Sequence, residues 1–177
     1  MMAINLRESL DDDRALAMAF ANAAVDPALV TTDLTEARDA VREGREKAKN
    51  EPDPVIEMMT LVPWLPRTAV KGIAELLFSY AEDPPCTCSN LGDLPPDLAR
   101  VDGTPAENVF IRALDTNVTI GDLERSRGQL VVVSGRINGK VSISVEAYQL
   151  GAENSKERVR AVVGETLKEF GLAAVID

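Results

Sequence analysis

The sharpest alternation of apolar and polar positions lies late in the chain, where "QLVVVSGRI" and "KVSISVEAY" flank Asn138-Gly139. That dipeptide between two alternating runs predicts a two-residue hairpin, because both turn residues must take positive φ. In the second run Val141, Ile143, Val145 and Ala147 point one way and Ser142, Ser144, Glu146 and Tyr148 the other. The aliphatic face is therefore expected to be buried. "MAINLR" (Met2–Arg7) and "ENVFIRAL" (Glu107–Leu114) alternate more weakly and read as short strands. Ala15–Asp26 suits a helix by its alanines, but Leu16, Met18 and Phe20 recur at strand spacing, which favours a strand.

Other segments carry a three- and four-residue rhythm. Leu34, Ala37, Val41, Gly44 and Ala48 predict an amphipathic helix over Leu34–Lys49, with Asp33 and Glu36 as a capping box and "NEPDP" as its end. Val55–Leu65 reads as a short apolar helix stopped near Pro63 and Pro66. Val70, Ile73, Ala74, Leu77, Phe78 and Ala81 mark a third. Asn154 with Glu157 is expected to cap a last helix with the stripe Val159, Val162, Val163, Thr166, Leu167 and Phe170, and Gly171 is expected at its C-terminal end. Together these elements predict an α+β fold over residues 1–177 as a single domain, with a mostly antiparallel mixed sheet, a long hairpin and about four helices.

Composition narrows the function classes. Aromatics make up only 4% of the chain, so the core must be built mainly from Ala, Val, Leu and Ile. A net charge of −10 argues against nucleic acid and against docking on an anionic membrane, both of which want a basic footprint. No apolar run approaches the roughly 20 residues of a membrane span, and "MMAINLRESLDDD" has no signal-peptide pattern, so a cytoplasmic protein is expected. The chain has no histidine. That removes the commonest general base and every Ser-His or Cys-His arrangement.

The segment "PPCTCSNLGDLPP" (Pro84–Pro96) is the best place to look for chemistry. With no His and no third Cys, the pair Cys86 and Cys88 falls short of the four ligands of a structural zinc site, so no metal is expected. On a strand the two would share one face and pack as small hydrophobes, with Thr87 and Ser89 on the other. "SNLG" lacks the further glycines and the following helix of a phosphate loop. Ser89 and Asn90 offer hydrogen-bonding groups, and Gly92 lets backbone come close to a ligand or simply makes a turn. Asp11–Asp13 read as a solvated loop, Met58, Met59 and Trp64 as core, and "GRINGK" as a hairpin tip rather than a basic patch.

Taken in order, "AINLR", a charge-rich helix, "CSNLGDLP", "GQLVVVSGRINGKVSISVEAY" and a final helix ending "EFGL" resemble the C-terminal half of acyltransferases with the chloramphenicol-acetyltransferase-like fold. Within that group the chain resembles condensation-domain-like and wax ester synthase/diacylglycerol acyltransferase-like proteins. The resemblance covers nearly the whole chain through short motifs. It implies one lobe of a two-lobed enzyme, with a tunnel between the lobes where an acyl-CoA or acyl-carrier thioester meets its acceptor. The catalytic HHxxxDG motif of that family sits in the other lobe, so no catalytic residue can be assigned here and the chain is expected to be inactive alone. By the same resemblance, Arg7 would support the missing catalytic loop, and Ser89, Asn90 and Gly92 would line the tunnel. No cofactor is implied beyond the thioester substrate. The partner would be the missing N-terminal lobe or another copy of the chain, held through an exposed apolar face. A non-catalytic module that binds a ligand or partner is the alternative.

Overall fold

The computed structural model describes residues 1–5, 18–28, 30–51, 61–70, 72–73, 86–100, 102–110, 118–125 and 128–177. Its helices and its mixed parallel and antiparallel strands form an α+β architecture divided into two compact units, Met1–Ala81 and Glu82–Asp177.

In the first unit, β1 (Met2–Asn5) pairs antiparallel with β2 (Met18–Ala21), with Ile4 opposite Ala19 and Met2 opposite Ala21. Ala15–Asp26 thus contains the strand that the spacing favoured. Its buried side chains are the alanines: Ala19 and Ala21 are buried with Ile4, while Phe20 is exposed. Small residues on that face leave room for a close neighbour.

Helix α1 (Thr35–Asn50) takes up that room. It packs on β2, and its half-buried positions Ala37, Ala40, Val41, Gly44 and Ala48 reproduce the apolar stripe. Its start differs from a capping box. Asp33 Oδ1 accepts from the Thr35 N–H at 2.8 Å, making a local Asx turn, and the Arg38 N–H opens the helical ladder on the Leu34 carbonyl at 2.9 Å. Gly44 marks the tightest approach: a Cβ there would lie 2.4 Å from the Asn22 carbonyl oxygen. Beyond α1, Val62–Trp64 is a single 3₁₀ turn containing Pro63, and residues 67–70 and 72–73 are helical. Trp64, expected in a core, is 85% exposed, because a three-residue turn has no apolar face to bury it. Residues 6–17, 52–60 and 74–85, including Asp11–Asp13, Met58 and Met59, lie outside the described residues.

The second unit is organised by a long hairpin. β4 (Gly128–Ile137) and β5 (Lys140–Gln149) pair from Gly128–Gln149 to Ile137–Lys140. Asn138 and Gly139 take φ of 49° and 77°, the positive values that a two-residue turn demands. β3 (Cys86–Asp93) adds to β4 in parallel, with Cys86 beside Leu130 and Cys88 beside Val132.

Near its turn the hairpin's burial reverses the expectation, although further on Val145 is half-buried and Glu146 exposed. Val141 is 66% and Ile143 49% exposed, whereas Ser142 and Ser144 are half-buried and Ile137 is only 5% exposed. The reason lies in β4. Gly135, opposite Ser142, is buried, and a Cβ on it would meet Leu94 Cδ1 at 2.9 Å, so the chain leaving β3 lies across the serine face instead.

Of the expected strand Glu107–Leu114, residues 107–110 are irregular and the rest lies outside the described residues. There the Glu107 carbonyl accepts from Lys140 Nζ at 3.2 Å. A short helix α2 (Ile120–Arg125) is capped by Thr119 and Asp122, which exchange hydrogen bonds. Helix α3 (Lys156–Glu169) is capped by Ser155, whose Oγ accepts from the Arg158 N–H, one residue later than expected. Asn154 instead ties the turn after β5, accepting from the Gln149 N–H at 2.8 Å and donating to the carbonyls of Gln149 and Ala152. Gly171, at φ 66°, ends α3 as expected, with the Leu172 N–H reaching back to the Leu167 carbonyl.

The Gly44 contact generates a test. In an open helix, Gly→Ala stabilises by up to about 1 kcal/mol. Here the added methyl would meet backbone, so Gly44→Ala is expected to destabilise by roughly 1–3 kcal/mol. Urea unfolding of the two proteins measures the sign, and a higher midpoint for the variant would refute the close packing.

Candidate functional site

The strand β3 and its exit gather most of the residues singled out in the sequence. Cys86 and Cys88 share one face, as alternation requires, and their sulfurs lie 3.6 Å apart. They are not joined in a disulfide. Cys86 is half-buried, but Cys88 is exposed, contrary to the expectation that both pack as small hydrophobes. The cause is visible in the register: the cysteines share the side of Leu130, Val132, Val145 and Ala147, the face that the described chain leaves open. Burial, and then the hydrogen bond with Cys88, push the Cys86 thiol above its ordinary pKa.

Ser89 and Asn90 follow on opposite faces, so as strand residues they cannot line the same wall. Ser89 is half-buried and Asn90 exposed. Asn90 Oδ1 accepts from the Gly92 N–H at 2.9 Å, and Gly92 sits at φ 67°. This Asx turn coincides with a shift in the β3–β4 register between Asn90 and Asp93. The Asn90 side-chain oxygen is thus engaged in shaping the turn. Arg7 lies outside the described residues.

Just past the bulge stands a pair that the sequence reading missed. The Arg136 guanidinium grips the Asp93 carboxylate through two bonds, Nε to Oδ1 and Nη2 to Oδ2, the latter at 2.7 Å. The Leu94 N–H donates to the Arg136 carbonyl at 2.8 Å, so main chain and side chains fasten the β3 exit at the same place. The partners are 43 residues apart, and only the parallel register joins them. The hydrogen bonds from Arg136, and then its charge, hold the Asp93 carboxyl below the usual carboxylate range.

Among the described residues, no three His, Cys, Asp or Glu side chains converge in a way that would hold a metal ion. No described helix is long and apolar enough to cross a membrane. A hollow of about 80 Å³ in the first unit is lined by Val25, Asp26, Val30, Asp33, Glu36 and neighbouring alanines. It is too small for an acyl thioester, since ligand pockets usually run to several hundred Å³. Asp26 and Asp33 spend one carboxylate oxygen each on local turns, to the N–H groups of Ala28 and Thr35. No family model matches the chain, and neither the curated proteins nor the solved structures contain a match to it.

The Asp93–Arg136 pair has a defined pH signature. The folded-state pKa of Asp93 is depressed, so its contribution to stability is fully present above the unfolded value of about 3.9. It is lost as pH falls through the lower folded value. Asp93→Asn is expected to lower the urea midpoint at neutral pH, modestly because the pair is exposed, and the two proteins should converge in strong acid. A difference that persists unchanged into acid would assign the effect to the turn rather than to the charge.

Proposed function

We propose that this chain is the tunnel-wall lobe of a CoA- or carrier-dependent O-acyltransferase, working with a histidine-bearing lobe that it does not contain. The observation that carries the reading is the open aliphatic face of the second unit, where Leu130, Val141 and Ile143 are exposed side by side with Val132 and Val145. Exposed aliphatic side chains gathered on one face of a chain of net charge −10 make a surface that calls for a cover. A companion lobe is the cover that the family resemblance supplies.

In this reading the chemistry is divided. A histidine of the companion lobe takes the proton of an alcohol. The alcohol oxygen attacks the thioester carbonyl, and the thiol of CoA or carrier departs. The present lobe supplies an apolar wall that keeps water from the thioester, with the Asn90 side chain and the Gly92 backbone at its polar edge, while Ser89 faces the other side of the strand. Arg7 steadies the companion's catalytic loop. The same open face supports a second reading, a non-catalytic module that binds an apolar partner or itself, because the chain holds no histidine to act as a base.

Self-association comes first among the tests. The wild-type chain is expected to sediment above monomer mass and to brighten an apolar dye, and the double substitution Val141→Lys, Ile143→Lys should abolish both. A dye-silent monomer at high concentration would remove the basis of both readings. Co-expression with an HHxxxDG-bearing lobe then separates them. Alcohol-dependent thioester cleavage that falls when Arg7 becomes Ala supports the enzyme lobe. Tight association without turnover supports the module.

A further inference from the structure

The open face carries one further feature, which stands independently of any acyl chemistry. Cys86 and Cys88 turn their sulfurs toward each other to 3.6 Å on one side of β3, and Cys88 is exposed. That separation discriminates between two kinds of thiol chemistry. A disulfide requires the sulfurs at about 2.05 Å, so direct bonding would have to draw them together by about 1.5 Å along a strand tied to β4. A single bridging atom asks for much less. Two thiolates on a tetrahedral ion at about 2.3 Å each stand about 3.8 Å apart, within a few tenths of an ångström of the spacing found.

The ladder explains why the spacing is held. Cys86 and Cys88 are registered on Leu130 and Val132, and those on Ala147 and Val145, so both Cα positions are fixed by a strand that is itself paired on its far side. The aliphatic neighbours Leu130 and Val132 suit a soft centre bound through sulfur. We propose that Cys86 and Cys88 form an open, preorganised dithiolate chelate for a soft, thiophilic metal ion or a trivalent metalloid. Two coordination positions are supplied by the chain, and the others are left to solvent or to the ligand's own substituents.

The bond changes balance without an oxidant. A divalent ion forms two M–S bonds and releases two thiol protons to solvent. An organoarsenic(III) dihydroxide forms two As–S bonds, breaks two As–O bonds and loses two waters, with no change in oxidation state.

The full chain, reduced and freed of metal, is treated with phenylarsine oxide and read by intact mass. In parallel it is titrated with Cd²⁺ and read by sulfur-to-metal charge-transfer absorbance. One arsenical per chain is expected, resistant to a large excess of monothiol and stripped by a dithiol, with Cd²⁺ saturating at one equivalent. Cys88→Ser should lose both, and being exposed it should leave the far-ultraviolet circular dichroism unchanged. Cys86→Ser should do the same if it folds, but the test stands on Cys88→Ser alone. An adduct that monothiol removes from the wild type, or one that Cys88→Ser keeps, would overturn the chelate.

Discussion

The second unit depends on a single constraint, the tight turn at Asn138-Gly139. Once these two residues take positive φ, the register of β4 on β5 is set for ten residues each way, and every side chain on both strands is assigned to a face. β3 inherits that assignment by pairing in parallel on β4. The pairing puts the two thiols on the aliphatic side, Ser89 on the other, and Asp93 within reach of Arg136. A slip of one residue in the hairpin would exchange the two faces along its whole length.

Local signals were read well where a short stretch determines its own conformation. Asn138-Gly139, the α1 stripe and the Gly171 terminus depend on residues within a turn or two of one another, and each appears as expected. α2 had such a signal too, Thr119 followed three residues later by Asp122, and it could have been found. Ser155 illustrates a finer limit. Asn154 and Ser155 are both good capping residues, and only the pull of Asn154 toward the Gln149 backbone hands the cap to its neighbour.

Which face of a strand is covered is a different kind of fact. Alternation in β5 correctly separates Val141, Ile143 and Val145 from the serines, but it carries no information about which side receives the rest of the chain. That depends on Gly135 opening a gap that Leu94 can fill, a contact between residues far apart in sequence. The Asp93–Arg136 pair was hidden for the same reason. Within the candidate site, the strand character of "CTCSN", the shared side of the cysteines and the turn at Gly92 were legible, because alternation and glycine's backbone freedom are local properties. The exposure of Cys88 and the engagement of Asn90 with Gly92 required the fold.

The parallel pairing of β3 also has a bearing on how the chain is made. An antiparallel hairpin such as β4–β5 can close within microseconds of its second strand leaving the ribosome. The parallel β3–β4 ladder cannot form so early: Asp93 precedes Arg136 by 43 residues, and at about 5–20 residues per second that interval lasts roughly 2–9 s. For those seconds the strand waits without its β4 ladder, and only the later arrival of the hairpin completes the parallel pairing on which the Asp93–Arg136 contact depends.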